Sequence, residues 1–104
     1  MTFEELYKAL KTLNLPVAYD HFSKKTELPY LIFIDEGKNT FIADERVWTK
    51  ETKIRLELYF ETKSPSLEDR VEAKLDEIGL IWEDETTYYI ETEEMYQHNY
   101  YFSI

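Results

Sequence analysis

Apolar and charged residues alternate along Lys53-Ile54-Arg55-Leu56-Glu57-Leu58-Tyr59-Phe60-Glu61, with Ile54, Leu56, Leu58 and Phe60 on one side and Lys53, Arg55, Glu57 and Glu61 on the other. A period of two predicts a strand with one buried face and one wet face. The alternation stops at Lys63-Ser64-Pro65-Ser66. There Ser64 is placed to cap a helix, and Pro65 suits its first position because the N–H that proline lacks would have no intrahelical partner. Leu67, Val71, Leu75 and Ile78 then recur at helical spacing and draw one apolar stripe. Glu68 and Asp69 put negative charge at the positive end of the helix dipole, and Gly79 offers a left-handed stop. The run from Lys53 to Gly79 is therefore a strand, a turn and a helix, and it anchors the fold.

The same pattern places the other elements. Thr2-Phe3-Glu4-Glu5 has the spacing of a capping box, and Phe3, Leu6, Tyr7, Leu10 and Leu13 follow as the core-facing stripe of a helix ending near Lys11 or Thr12. Between Pro16 and Pro29 the chain reads mostly as loop, with room for a short edge strand at Val17–Tyr19. Tyr30-Leu31-Ile32-Phe33-Ile34 is a continuous apolar run, as in a strand covered on both faces, and Asp35-Glu36-Gly37-Lys38-Asn39 announces a hairpin turn. Thr40 to Asp44 returns, and Glu45 to Lys50 leads into the central strand. After Gly79 come Leu80-Ile81-Trp82, an acidic turn at Glu83-Asp84-Glu85, a strand at Thr86–Ile90, and a terminal strand from Met95 to Ile104. On the terminal strand Tyr96, His98, Tyr100, Phe102 and Ile104 form the more apolar face. The expected fold is α+β: one domain, a mainly antiparallel sheet of about four or five strands, and two helices packed on one face, in the order α-β-β-β-α-β-β.

A chain of 104 residues fits one domain that buries roughly 65% of its unfolded surface, enough for a core of its own. It has no cysteine, so disulfides and thiolate metal sites are excluded. No apolar run approaches a membrane span, and the first residues are acidic where a signal peptide would be basic, so a cytoplasmic protein without membrane contact is expected. Acids outnumber bases 22 to 12, for a net charge of −10. The segment 81–104 holds Glu83, Asp84, Glu85, Glu91, Glu93 and Glu94 but no Lys or Arg, which makes it the acidic pole. Such a surface repels phosphates at long range and argues against sequence-specific nucleic-acid binding through a basic patch.

Candidate chemistry is sparse. His21 sits beside Asp20 in a loop and His98 lies among tyrosines in the last strand; neither has a recognisable nucleophile to serve, and His98 reads as a structural residue. Glu83-Asp84-Glu85 lacks the spacing of a calcium loop and reads as a solvated turn, and the two glycines are too far apart for a phosphate loop. The expectation is a protein without catalytic residues, cofactor or metal. The nine tyrosines are the unusual feature, with Tyr88, Tyr89, Tyr96, Tyr100 and Tyr101 near the acidic pole. Tyrosine is favoured in strands, and it is also favoured in protein interfaces, where it buries area while its hydroxyl stays satisfied. The interface reading is preferred.

The succession of Leu28-Pro29-Tyr30-Leu31-Ile32-Phe33, Asp44-Glu45-Arg46-Val47-Trp48, the strand Ile54–Thr62 running into Leu67-Glu68-Asp69-Arg70-Val71-Glu72-Ala73-Lys74-Leu75, and Tyr89-Ile90-Glu91-Thr92-Glu93-Glu94-Met95-Tyr96 with an aromatic end covers most of the chain. In this pattern the chain resembles small phage and prophage tail-completion, tail-terminator or head–tail joining proteins. The resemblance implies a structural role in a homo-oligomeric ring, commonly hexameric, through which DNA passes. It also implies tail-tube and head-connector proteins as partners, a free form that can be monomeric, and a place in the host cytoplasm and then the virion. The family offers no catalytic residues. Glu83, Asp84, Glu85, Glu93 and Glu94 are the candidate lumen-facing acids, since an acidic lumen would not hold the passing phosphates. Ring contacts are heterologous, so reaching parts are needed; Val17–Glu27 and the tip at Glu36-Gly37-Lys38 are the candidates, with Tyr19, Phe22, Gly37, Tyr96 and Tyr100 as interface residues. Two alternatives stay open: an acidic DNA mimic that occupies a nucleic-acid enzyme, and a small hydrolase or transferase with an unfamiliar site.

Overall fold

The computed structural model describes residues 1–43 and 46–104, and the side chains of all of these but 39–43 and 46–50. The expected end of the return strand at Asp44 and the start of the lead-in at Glu45 lie outside the described residues.

Helix α1 (Phe3–Lys11) begins with the expected capping box: Glu5 N–H donates to Thr2 Oγ1 at 3.1 Å and Thr2 N–H to Glu5 Oε1 at 2.9 Å. Two orphan donors of the first turn are thereby satisfied. Helix α2 (Pro65–Glu77) has Pro65 at its start; Ser64 occupies the cap position but makes no side-chain bond to the first turn, and its hydroxyl meets Ser66 Oγ instead. At the far end Gly79 is left-handed (φ +81°), with Gly79 N–H on Asp76 O and Leu80 N–H on Leu75 O, both 3.0 Å. That paired closure satisfies carbonyls the helix leaves open.

The six strands are β1 (Val17–Tyr19), β2 (Tyr30–Ala43), β3 (Arg46–Phe60), β4 (Glu83–Asp84), β5 (Tyr88–Ile90) and β6 (Met95–Ser103). They form one sheet in the order β1-β2-β3-β6-β4, with β5 also on β6. Only the β1–β2 pairing is parallel. The domain is therefore α+β and mostly antiparallel, as expected, with more strands than expected because two short segments pair. Val17–Tyr19 forms the short edge strand for which the sequence left room, along Leu31–Phe33, and Glu83-Asp84 pairs with Tyr100–Tyr101 instead of forming a turn.

The hairpin expected at Asp35–Asn39 is absent. β2 runs through it, and between the pairs Asp35↔Ile54 and Lys38↔Thr52 both Glu36 and Gly37 stand opposite the single residue Lys53. This is a β-bulge: Gly37 takes φ +107° and its N–H donates to Asp35 Oδ1 at 2.8 Å. Turn-forming residues that can end a strand equally supply the left-handed glycine that lets a strand absorb one extra residue.

Strand alternation sorts the sheet into two faces. Leu31, Phe33, Ile54, Leu56, Leu58, Phe60, Tyr100 and Phe102 share one core with Leu6 and Leu10 of α1 and Val71 and Leu75 of α2. The other face carries Tyr30, Ile32, Ile34, Arg55, Glu57, Tyr59, Gln97, Asn99 and Tyr101. On it Glu57, Gln97 and Asn99 are buried although polar.

Candidate functional site

Three features stand out from this framework. The first is an arm. β3 is flanked by β6 from Lys53 to Phe60 and β2 by β1 from Leu31 to Phe33, and Thr52 exchanges backbone hydrogen bonds with Ile104. From Asn39↔Glu51 to Ala43↔Arg46, β2 and β3 have only each other among the described residues. A two-stranded ribbon extends beyond the sheet, and the principal-axis extents of 50 × 28 × 27 Å reflect an elongated domain.

The second feature is the outer edge of β6, where the acidic pole lies. The proposed lumen acids do not form one cluster. Glu83 and Asp84 make up β4, and Glu85 accepts a hydrogen bond from Tyr101 Oη. Glu93 and Glu94 sit beyond β5 in a single 3-10 turn closed by a left-handed Glu94 (φ 52°), and line an open groove of about 940 Å³ with Phe22, Lys24, Tyr30 and Met95. The interface candidates divide likewise. Tyr19 is 47% exposed and stacks on Phe3, while Phe22 meets Tyr30 edge-on. Gly37 is exposed, but in the bulge and not at a tip. Tyr96 is half-buried between Phe60 and Tyr89. Tyr100 is fully buried and belongs to the core, which removes it as an interface residue. Its strand parity, shared with Phe102, was the signal for that. The exposed apolar residues at this edge are instead Ile81, Tyr88 and Tyr89.

The third feature is a cluster of polar side chains between α2 and β6. Glu68 and Glu72 stand one turn apart on α2, and facing them is buried His98. Its Nε2 lies 2.9 Å from Asp84 Oδ2 and its Nδ1 2.5 Å from Thr87 Oγ1. Lys63 Nζ donates to Glu68 Oε1 at 2.5 Å and to Thr87 Oγ1 at 3.0 Å, and Tyr100 Oη donates to Glu72 Oε2 at 2.8 Å. Both ring nitrogens of His98 thus have hydrogen-bond partners, whereas His21 makes an exposed pair with Asp20. Ligand atoms of Glu68, Glu72 and His98 lie within 4.8 Å of one another. Sequence reasoning missed this grouping, although the four-residue spacing of the two glutamates on a helix was legible.

Burial, then the hydrogen bond to Glu72, raises the pKa of Tyr100 far above that of a free tyrosine; burial and then the Glu57 carboxylate do the same for Tyr59. Both hydroxyls keep their protons in the folded chain at a pH where the unfolded chain has lost them. Their contribution is intact below the ordinary value of 10.0 and is lost as pH rises beyond it. Urea unfolding midpoints measured from pH 9 upward should therefore fall, with a slope of up to about 1.4 kcal/mol per pH unit from Tyr100. The Tyr100→Phe variant should show a flatter profile.

Comparison of the chain with models of known protein families and with curated proteins finds no match. Among the described residues, no helix is long and apolar enough to cross a membrane.

Proposed function

We propose that the protein is a structural component of phage or prophage morphogenesis, a tail-completion or head–tail joining protein that works as one subunit of a ring around passing DNA. The observation that supports this reading is the arm. An isolated two-stranded ribbon is marginally stable in water, so a ribbon carried beyond its sheet gains by docking on another surface. Residues 39–51 carry Arg46 and Lys50 among Asp44, Glu45 and Glu51, while the segment 81–104 has acids and no bases, so Arg46 and Lys50 are the arm groups that an acidic edge of the next copy would attract. A contact between two different surfaces is heterologous, and repeated around an axis it closes a ring. The strands at the two ends of the sheet are short, β1 with 3 residues and β4 and β5 with 2 and 3, so among the described residues the long unpaired edges are those of the arm.

Light scattering on the purified chain, alone and with isolated tail tubes or connectors, tests the reading. The expected result is a ring, or a monomer that becomes ring-bound on tails. A variant with residues 40–49 replaced by an Asn-Gly turn should keep the core and lose assembly. A chain that ignores tails and connectors and instead occupies a nuclease or polymerase would replace this reading with the DNA mimic.

A further inference from the structure

The side-chain cluster between α2 and β6 supports an inference independent of ring assembly. His98 has the strand parity of Leu58, Tyr100 and Phe102, so the fold directs an imidazole into a layer that is otherwise apolar. Glu68 and Glu72, at a spacing of four on α2, bring two carboxylates to the same point. An imidazole nitrogen with two carboxylate oxygens is a donor set for zinc and neighbouring divalent transition metals, whereas calcium and magnesium favour oxygen alone.

The surroundings of the three groups match what such an ion needs. Metal-bound histidines usually give their second ring nitrogen to a carboxylate, which fixes the ring. Here Asp84 Oδ2 stands 2.9 Å from His98 Nε2, and Nδ1, 2.5 Å from Thr87 Oγ1 and 3.9 Å from Glu68 Oε2, is the nitrogen that would exchange the threonine hydroxyl for the ion. Tyr100 Oη holds Glu72 in place at 2.8 Å. The cluster also already holds a cation: the Lys63 ammonium contacts Glu68 and Thr87. That ammonium meets Glu68, while Glu72 is met by the neutral Tyr100 hydroxyl and Asp84 by the His98 ring. The Lys63 side chain is 47% exposed and hangs from the loop before α2, so it can swing into solvent. Ligand atoms around a tetrahedral zinc ion stand roughly 3.4 Å apart, and the present separations of up to 4.8 Å close to that by side-chain rotation of the two glutamates.

We propose that Glu68, Glu72 and His98 bind a divalent transition-metal ion of the zinc class, with Asp84 orienting the imidazole and Lys63 the group the ion displaces.

The test uses the full chain, freed of metal by a chelator and titrated with zinc chloride, followed by calorimetry and by the ring-proton NMR signals of its 2 histidines. One ion per chain is expected, with the His98 signals shifted and those of His21 unmoved. Glu72→Gln, which keeps an acceptor for Tyr100, should weaken binding by at least about tenfold. Lys63→Met, which removes the competing ammonium, should tighten it several-fold. Absence of zinc binding would overturn the proposal. So would binding that shifts only His21, or that is unchanged by both Glu72→Gln and His98→Gln in variants whose circular dichroism shows them folded.

Discussion

Leu56→Ala is expected to lower the unfolding free energy by about 3–4 kcal/mol, the range for a leucine removed from a core that cannot collapse around the space left. Leu56 is fully buried on the central strand, with Phe33 beside it in β2 and Tyr100 beside it in β6. Both neighbours are large aromatics held in register by the ladder, so neither can move in without breaking backbone hydrogen bonds. Domains of this size are stable by about 5–15 kcal/mol, so this one change removes a large part of the total. Urea denaturation of wild type and variant would measure it, with Ile81→Ser as control: Ile81 is 92% exposed and its replacement should stay within about 0.5 kcal/mol. A cost for Leu56→Ala below that of an ordinary surface substitution would mean that the core is not centred on β3.

Glu57→Ala is expected to cost about 2–3 kcal/mol, unusual for a carboxylate on the sheet face that no helix covers. Glu57 is 7% exposed and accepts from Arg55 Nε at 3.0 Å, Tyr59 Oη at 3.0 Å and Gln97 Nε2 at 3.2 Å. Removing the carboxylate leaves these donors short of a partner. Arg55 is the least affected, because its Nη1 keeps Glu36 at 2.9 Å and its side chain stays 31% exposed. Glu57→Gln, which retains one acceptor oxygen, should cost roughly half as much. A Glu57→Ala variant as stable as the wild type by urea midpoint would show the network to be a solvated surface chain with no structural weight.

Glu57 also marks the boundary of what the pattern of residues could say. The alternation from Lys53 to Glu61 assigned it to the wet face, and its side of the strand is indeed the one away from the helices. Burial there comes from neighbours that the local pattern does not encode: Ile32 opposite it in β2, Asn99 opposite it in β6, and the flanking Tyr59 and Arg55. Gln97 and Asn99 are buried for the same reason.

The acidic segment follows the same division. Composition identified Glu83, Asp84 and Glu85 as a cluster, but pairing with β6 gives them separate tasks: Asp84 holds His98, Glu85 holds Tyr101, and Glu83 remains exposed. Tyr100, grouped with the interface tyrosines by content, belongs to the core by strand parity.

By itself the sequence determined the local and periodic features: the capping box at Thr2, the start of α2 at Pro65 and its glycine closure at Gly79, the buried face of β3, and a fold of two helices on a mostly antiparallel sheet. These are legible because caps depend on residues a few positions apart and faces on a repeat of two or 3.6. Only the tertiary structure decided that Gly37 serves a bulge instead of a turn, that Val17–Tyr19 pairs in parallel with β2, and that Glu68, Glu72 and His98 meet. Each of those depends on which strand lies beside which, and a pairing between residues far apart in the chain is settled by the packing of the whole domain.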